Sequence, residues 1–335
     1  MLRICLVACS ILLISPAWAR GIDAASINDA SCPVKPSKHE KSEAALVKVQ
    51  ILLDRLHFSP GEIDGTLGDN ARKALRAFAE AKGLSSGGTL SPELCDQLTA
   101  TSSEPAIVRY TITEADVRGP FLKKLPRKME DMKNLKALSY TSPREELAEK
   151  FHVSPKLLEE LNPKQRFDAS GATISVPNVR AEQGPAGNIA RIEVDKSKEA
   201  VTAFDSEGKV VAFFPATVGS TEKPTPSGML KVNSTDPNPT YRYDPSYHFA
   251  GVKSKKPFTI RPGPNNPVGS YWIGLSKEGY GIHGSADPDR VGKTASHGCV
   301  RLTNWDARFL GEHVKRGAPV AFLDAPNDAT AARTR

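Results

Sequence analysis

The stretch from Ile282 to Leu302, IHGSADPDRVGKTASHGCVRL, gathers a thiol, two imidazoles, guanidinium groups and three glycines. A cysteine attacks a carbonyl carbon only as thiolate, and an ordinary thiol with a pKa of about 8.5 is mostly protonated at neutral pH. A neighbouring histidine takes that proton and later returns one to a leaving amine. The tetrahedral oxyanion needs N–H donors, and a glycine beside the nucleophile lets the backbone come close enough to supply them. His283, Gly298 and Cys299 offer these three parts. His283 precedes Cys299 by sixteen positions, so the chain between them must fold back. A helix starting near Asn304 would add its N-terminal dipole.

Two other chemistries compete for the same residues. His283, His297 and Cys299 are ligand types that suit zinc, but no CxxC or HExxH stands in the chain, so no metal or other cofactor is expected. The stretch also fits a buried structural cysteine flanked by capping histidines. Asp287 and Asp289 read as a solvated loop, His39, His57, His248 and His313 as surface or structural positions, and His152 as a half-buried helix residue.

Several features narrow the setting. The chain has 335 residues, enough for two or three domains, and its 39% hydrophobic and 25% charged content fits a globular protein. A formal charge of +7 favours anionic partners such as nucleic acid, lipid or a carboxylate-bearing polymer. No Lys/Arg run with interleaved aromatics appears, so nucleic acid is not expected. Residues 1–19 read as a signal peptide, with Arg3 before an apolar run from Ile4 to Ile14 and Ala17-x-Ala19 at the cleavage site. That run is too short to cross a bilayer, and no transmembrane span is expected. The chain is therefore expected to be exported. Removal of Cys5 and Cys9 with the signal leaves Cys32, Cys95 and Cys299. In an oxidising compartment, Cys32 and Cys95, which flank one N-terminal segment, pair as a disulfide and leave Cys299 as the free thiol.

The elements that must position this chemistry follow in order. Residues 20–40 read as a linker. Leu46, Val49, Leu52, Leu53 and Leu56 recur at helical spacing. A second helix starts with Asp69 or Asn70 as N-cap and stops at Gly83, and Ser91-Pro92 opens a third. Together 41–100 form a small three-helix bundle. Over 109–178, Ser142-Pro143-Arg144-Glu145 is a capping box opening a helix, Ser154-Pro155 opens another, and GATISVPNV is a strand. Residues 179–188 are a second linker. From 189 to 323 the pattern is mainly strands, with one helix capped by Thr303 or Asn304, and 324–335 is a tail.

Three resemblances attach to these segments. GEIDGTLGDNARKALRAF and KGLSSGGTLSPEL make 41–100 similar to the peptidoglycan-binding type 1 family. LAEKFHVSPKLLEELNP and ISVPNV resemble a LysM module, which implies a βααβ unit that binds N-acetylglucosamine polymers; residues 117–141 interrupt its compact form. The HG…SHGCxR pattern of residues 282–302, with KPTPSGMLKV and NPVGSYWIGL, resembles the L,D-transpeptidase (YkuD) catalytic domain. The resemblance implies a multidomain α+β chain with a β-sandwich-like catalytic domain. It implies Cys299 as nucleophile and His283 as base, with His297 and Ser296 lining the site. The amides of Gly298 and Cys299 would face the oxyanion, the carbonyl of Gly284 or Ser285 would hold the imidazole tautomer, and Arg301 would orient the loop or meet a carboxylate. The implied partner is peptidoglycan, both its tetrapeptide stems and its glycan strands. The implied acceptor is a second stem, a D-amino acid, a protein amine or water. A catalytically idle wall-binding anchor and a sortase-like transpeptidase are the competing readings.

Overall fold

The structure, a computed structural model, describes residues 22–32, 44–85, 87–179, 188–220, 222–247, 252–296 and 298–324. The expected signal segment 1–19, residues 20, 21 and 33–40 of the first expected linker, residues 180–187 of the second, His297 and the tail after Asp324 lie outside the described residues.

The first departure from expectation comes early. Within the segment read as linker, Ala24–Asn28 forms helix α1, opened by a reciprocal capping box between Asp23 and Ser26. Its Ile27 is 0% exposed and packs beside Val47 and Ile51 of α2, Ala44–Arg55. One apolar residue in a short polar run gives no periodicity, so the helix exists because α2 offers a face to bury it. Helix α2 is apolar almost all round because it serves two cores. Val47 and Ile51 face one cluster, while Leu46, Val49 and Leu53 face the other. The second cluster holds Ala74, Leu75 and Phe78 of α3, Asp69–Ala81, and Leu94 and Leu98 of α4, Pro92–Thr99. Ser91 caps α4 as its sequence indicates. The N-cap of α3 is Gly68, neither Asp69 nor Asn70; the Asn70 side chain instead donates to the Val291 carbonyl at 2.8 Å. Cys32 and Cys95 are joined as a disulfide.

In the next unit β1, Ile107–Thr111, pairs antiparallel with β2, Thr173–Pro177. Between them run the short helices α5, Glu114–Arg118, and α6, Met129–Met132, then α7, Pro143–Lys150, and α8, Pro155–Leu161. Ser142 and Ser154 cap the last two. Glu145 does not return to Ser142 as a capping box requires; its carboxylate accepts the Thr141 amide at 2.6 Å.

The C-terminal unit corrects the sandwich expectation. Its main sheet is one curled layer of eight strands: β3, Arg191–Asp195; β4, Ala200–Phe204; β5, Val210–Pro215; β6, Gly228–Pro237; β9, Tyr271–Leu275; β10, Gly281–His283; β11, Val300–Arg301; and β12, Pro319–Leu323. A separate hairpin pairs β7, Tyr241–Tyr243, with β8, Phe258–Ile260. Strand β6 is the hinge: Gly228–Lys231 pairs with β12, and Val232–Pro237 pairs with β9. A register shift between Val232 and Ser234 bends the strand there, as a bulge does. One strand thus turns the sheet around its own core, covered by α9, Asn304–His313.

The three units share their interiors. Ala200 and Phe213 of the sheet belong to the α2–α4 core, and Phe213 exchanges backbone hydrogen bonds with His57 and Ser59. His57 and His313 both stack on Phe309, at 4.1 and 4.4 Å. His152, expected to be a half-buried helix residue, ion-pairs Asp54 at 3.0 Å and stacks on Trp305. Glu149 of α7 accepts from the Asn304 amide group at 3.0 Å and from the Tyr140 hydroxyl at 2.8 Å. Ser59 donates to Asp306 at 2.8 Å. Burial pushes the Glu149, Asp306 and Glu62 carboxyls up to about 7. Burial opposes charge on His152 as well, but the Asp54 carboxylate outweighs it and raises that imidazole.

These shifts share one sign. A carboxyl raised in the folded state holds its proton more tightly there than in the unfolded chain, so stability falls as pH rises from about 4.3 through the folded value. A raised His152 also contributes at low pH and loses that contribution as pH rises. The melting temperature should therefore be higher at about pH 5.5 than at about pH 8, and Glu149→Gln should shrink that difference. Scanning calorimetry at both pH values checks this; a higher melting point at alkaline pH would contradict it.

Candidate active site

Strand register gathers the residues that the sequence keeps apart. Asp236 of β6 stands opposite Trp272 of β9, Trp272 opposite His283 of β10, and His283 opposite Arg301 of β11. Residues in register project to the same face of a sheet, and so do residues two apart. An acid, an indole, an imidazole and a guanidinium therefore form one row across four strands. Cys299, two residues before Arg301, falls on the same side of the row. All five line a single cavity of about 1020 Å³. The parallel pairing of β10 with β11 thus folds back the fifteen residues between His283 and Cys299.

His283 is 3% exposed. Its Nδ1 lies 2.7 Å from the Gly284 carbonyl oxygen, so Nδ1–H donates there and Nε2 keeps its lone pair. Of the two carbonyls expected to fix the tautomer, Gly284 is the one that does so. The Trp272 ring stacks against the imidazole with centroids 5.5 Å apart and planes 19° apart. Gly281 makes room for that ring: a Cβ there would sit 2.4 Å from Trp272 Cζ2. Burial, and then the positive Arg301, lower the His283 pKa to about 3. The imidazole is neutral at physiological pH.

Cys299 is a free, half-buried thiol. Its Sγ donates weakly to the Gly279 carbonyl at 3.6 Å. Burial raises its pKa, against a smaller downward pull from the Gly281 N–H and Arg301. The resting pair is therefore thiol and neutral imidazole, not thiolate and imidazolium. Arg301 is itself pushed down by burial, and among the described residues no carboxylate forms a salt bridge with it.

The turn before Cys299 revises one expectation. Ser296 Oγ donates to the Cys299 carbonyl at 2.5 Å and accepts the Gly298 N–H at 3.1 Å. The Gly298 amide is thus committed within the turn, and of the expected oxyanion pair only the Cys299 amide is not taken by Ser296. Gly298 has φ +109°, and a Cβ there would lie 3.1 Å from Tyr280 Cε1; glycine is required. His297 falls outside the described residues. Asp287 and Asp289 are exposed. Among the described residues no group of three or more His, Cys, Asp or Glu side chains is placed to hold a metal ion.

Sequence reasoning missed Asp236, Trp272 and Gly281, whose roles arise from cross-strand register. It also missed Met129, which reaches the cavity from α6; nothing local marks that residue.

The electrostatics of the pair set a pH profile. A thiol above its ordinary pKa of about 8.5 should react with iodoacetamide at a rate that keeps rising through that pH, with no plateau near neutrality. Mass-spectrometric labelling of Cys299 between about pH 6 and 10 checks this. A flat rate below neutrality would mean a preformed thiolate.

The family model for the L,D-transpeptidase catalytic domain (YkuD) matches residues 189–321. The Bacillus licheniformis protein named L,D-transpeptidase YkuD is 27% identical over 180 residues, which are 53% of this chain and 92% of that protein. The Escherichia coli K12 protein named L,D-transpeptidase YbiS is 35% identical over 123 residues, 36% of this chain and 40% of that one. A crystal structure of L,D-transpeptidase 3 from Mycobacterium tuberculosis aligns with 46% of this chain and 76% of that one, at 18% identity and a TM-score of 0.34. Residues 189–321 of this chain are an L,D-transpeptidase catalytic domain of the YkuD family.

Proposed function

We propose that this chain is an exported cysteine L,D-transpeptidase acting on peptidoglycan stem peptides in the periplasm. The observation that carries the reading is the shared cavity of a free Cys299 and a neutral His283 whose tautomer leaves Nε2 unprotonated.

The chemistry runs as two acyl transfers. Cys299 Sγ attacks the carbonyl carbon of the third stem residue as His283 Nε2 takes the thiol proton. The oxyanion meets the Cys299 amide, in a cavity where burial strengthens each donor. The C–N bond to the terminal D-Ala breaks, His283 gives its proton to the departing amine, and a thioester remains. An acceptor amine then loses a proton to His283, attacks the thioester and releases the thiol. A second stem as acceptor gives a 3–3 cross-link, a D-amino acid or protein amine gives an attached product, and water gives L,D-carboxypeptidase activity. Arg301, which forms no salt bridge with a carboxylate among the described residues, is suited to a substrate carboxylate through its planar fork. The peptidoglycan-binding-like region 41–100 and the LysM-like region 109–178 would hold the enzyme on its polymer and raise local substrate concentration.

Incubation of wild type, Cys299→Ala and His283→Ala with disaccharide-tetrapeptide tests the reading. D-Ala release should fall at least about a thousandfold in either variant with folding unchanged. An inert wild type that still binds sacculi would favour the catalytically idle anchor.

A further inference from the structure

The segment 117–141 does not stay with the unit that contains it. From α6, Met129 lines the cavity shared by Cys299 and His283. Its neighbour Glu130 accepts the backbone N–H groups of Lys253, at 2.6 Å, and Ser254, at 3.1 Å. Those two residues directly follow Val252, which lines the same cavity from the C-terminal unit. Lys133 sits over the Phe258 ring of β8 at 5.6 Å.

Further along, the contact becomes a backbone zipper. The Leu138 amide donates to the Pro262 carbonyl, and the Asn265 amide donates to the Leu138 carbonyl, both at 2.9 Å. Leu138 is fully buried. Gly263 has φ +144°, and a Cβ there would stand 2.3 Å from the Leu138 carbonyl oxygen. The Asn265 side chain adds bonds to the Ser139 carbonyl and the Glu145 carboxylate. The chain is fastened at two ends, by Glu130 to the connection between β7 and β8 and by Leu138 to the loop after β8.

We propose that residues 117–141 are a wall of the catalytic cavity, with Met129 as the residue that limits its width. Glu130 is the positioning residue that holds Val252–Ser254 at the same cavity. The N-terminal unit thereby sets how bulky a peptide can lie beside Cys299. Only the identity of that peptide rests on the transpeptidase reading. The two amides bound by Glu130 would otherwise be free donors on an exposed stretch, and a carboxylate acceptor holds both more firmly than water can. A Gln retains the acceptor oxygen and should retain the function; an Ala cannot.

The experiment uses the full chain with Glu130→Ala, Glu130→Gln and Met129→Trp. Hydrogen exchange at Lys253 and Ser254 should quicken about tenfold in Glu130→Ala and stay near the wild-type rate in Glu130→Gln. For D-Ala release, Glu130→Ala and Met129→Trp should raise KM about fivefold and leave kcat within about twofold, because the reacting groups are untouched. Unchanged exchange at the two amides in Glu130→Ala, or KM effects that only follow loss of melting temperature, would overturn the proposal. If wild type releases no D-Ala, the substrate assignment fails, and thiol labelling decides this proposal independently. The ratio of Cys299 modification by N-phenylmaleimide to that by iodoacetamide should then fall in Met129→Trp and rise in Glu130→Ala. An unchanged ratio in both overturns it.

Discussion

Two residues of β11 laid parallel against β10 determine the chemistry of this molecule. That pairing sets Arg301 beside His283 and brings Cys299 to the same side. It holds because β10 is locked on its other edge by β9, with Trp272 lying over the glycine at 281. A one-residue slip would turn every side chain of β10 to the opposite face. His283 would then point into the apolar core now occupied by Ile282. Register here decides whether a base exists at all.

The register is in turn buttressed from outside the sheet. Gly284, whose carbonyl fixes the imidazole tautomer, lies so close to Asn304 that a Cβ would meet its Oδ1 at 2.2 Å. The same Asn304 oxygen accepts the Ser270 amide, and its nitrogen donates to Glu149 of α7. One carboxylate in the preceding unit therefore reaches the His283 imidazole through two intervening residues, Asn304 and Gly284. Asn70 plays a parallel part from α3, since its amide holds the Val291 carbonyl in the loop before Cys299. The N-terminal units are structural parts of the site as well as neighbours of it.

Local features of the chain foretold what local physics controls. Ser91, Ser142 and Ser154 cap the helices they precede because the side-chain oxygen and the amide it satisfies lie within one turn. The Cys32–Cys95 pair followed from counting thiols. What escaped was set by distant contacts. Ile27 folds a helix in an expected linker because α2 waits to cover it. Asn70 leaves the capping position at Gly68 because a carbonyl in another unit competes for its side chain. The single curled sheet depends on a bulge in β6, which no periodicity announces. In the same way, the motif around Cys299 singled out Cys299 and His283, while their shared row with Asp236 and Trp272 required the register of four strands.

A chain that carries both a disulfide and a reactive thiol must keep the two from exchanging. Exchange begins with a thiolate. Burial keeps Cys299 protonated, and burial also keeps His283 neutral, so no resting ion pair exposes the sulfur to oxidation or to attack on Cys32–Cys95. The same burial makes the thiol a poor nucleophile until a carbonyl arrives at which the developing oxyanion can be held. In the proposed reaction, proton transfer to Nε2 would become favourable at that point, because negative charge would move from sulfur onto oxygen, where the Cys299 amide could receive it. On that reading reactivity is coupled to substrate through electrostatics, and the low dielectric that silences the free thiol also strengthens each donor during the proposed reaction.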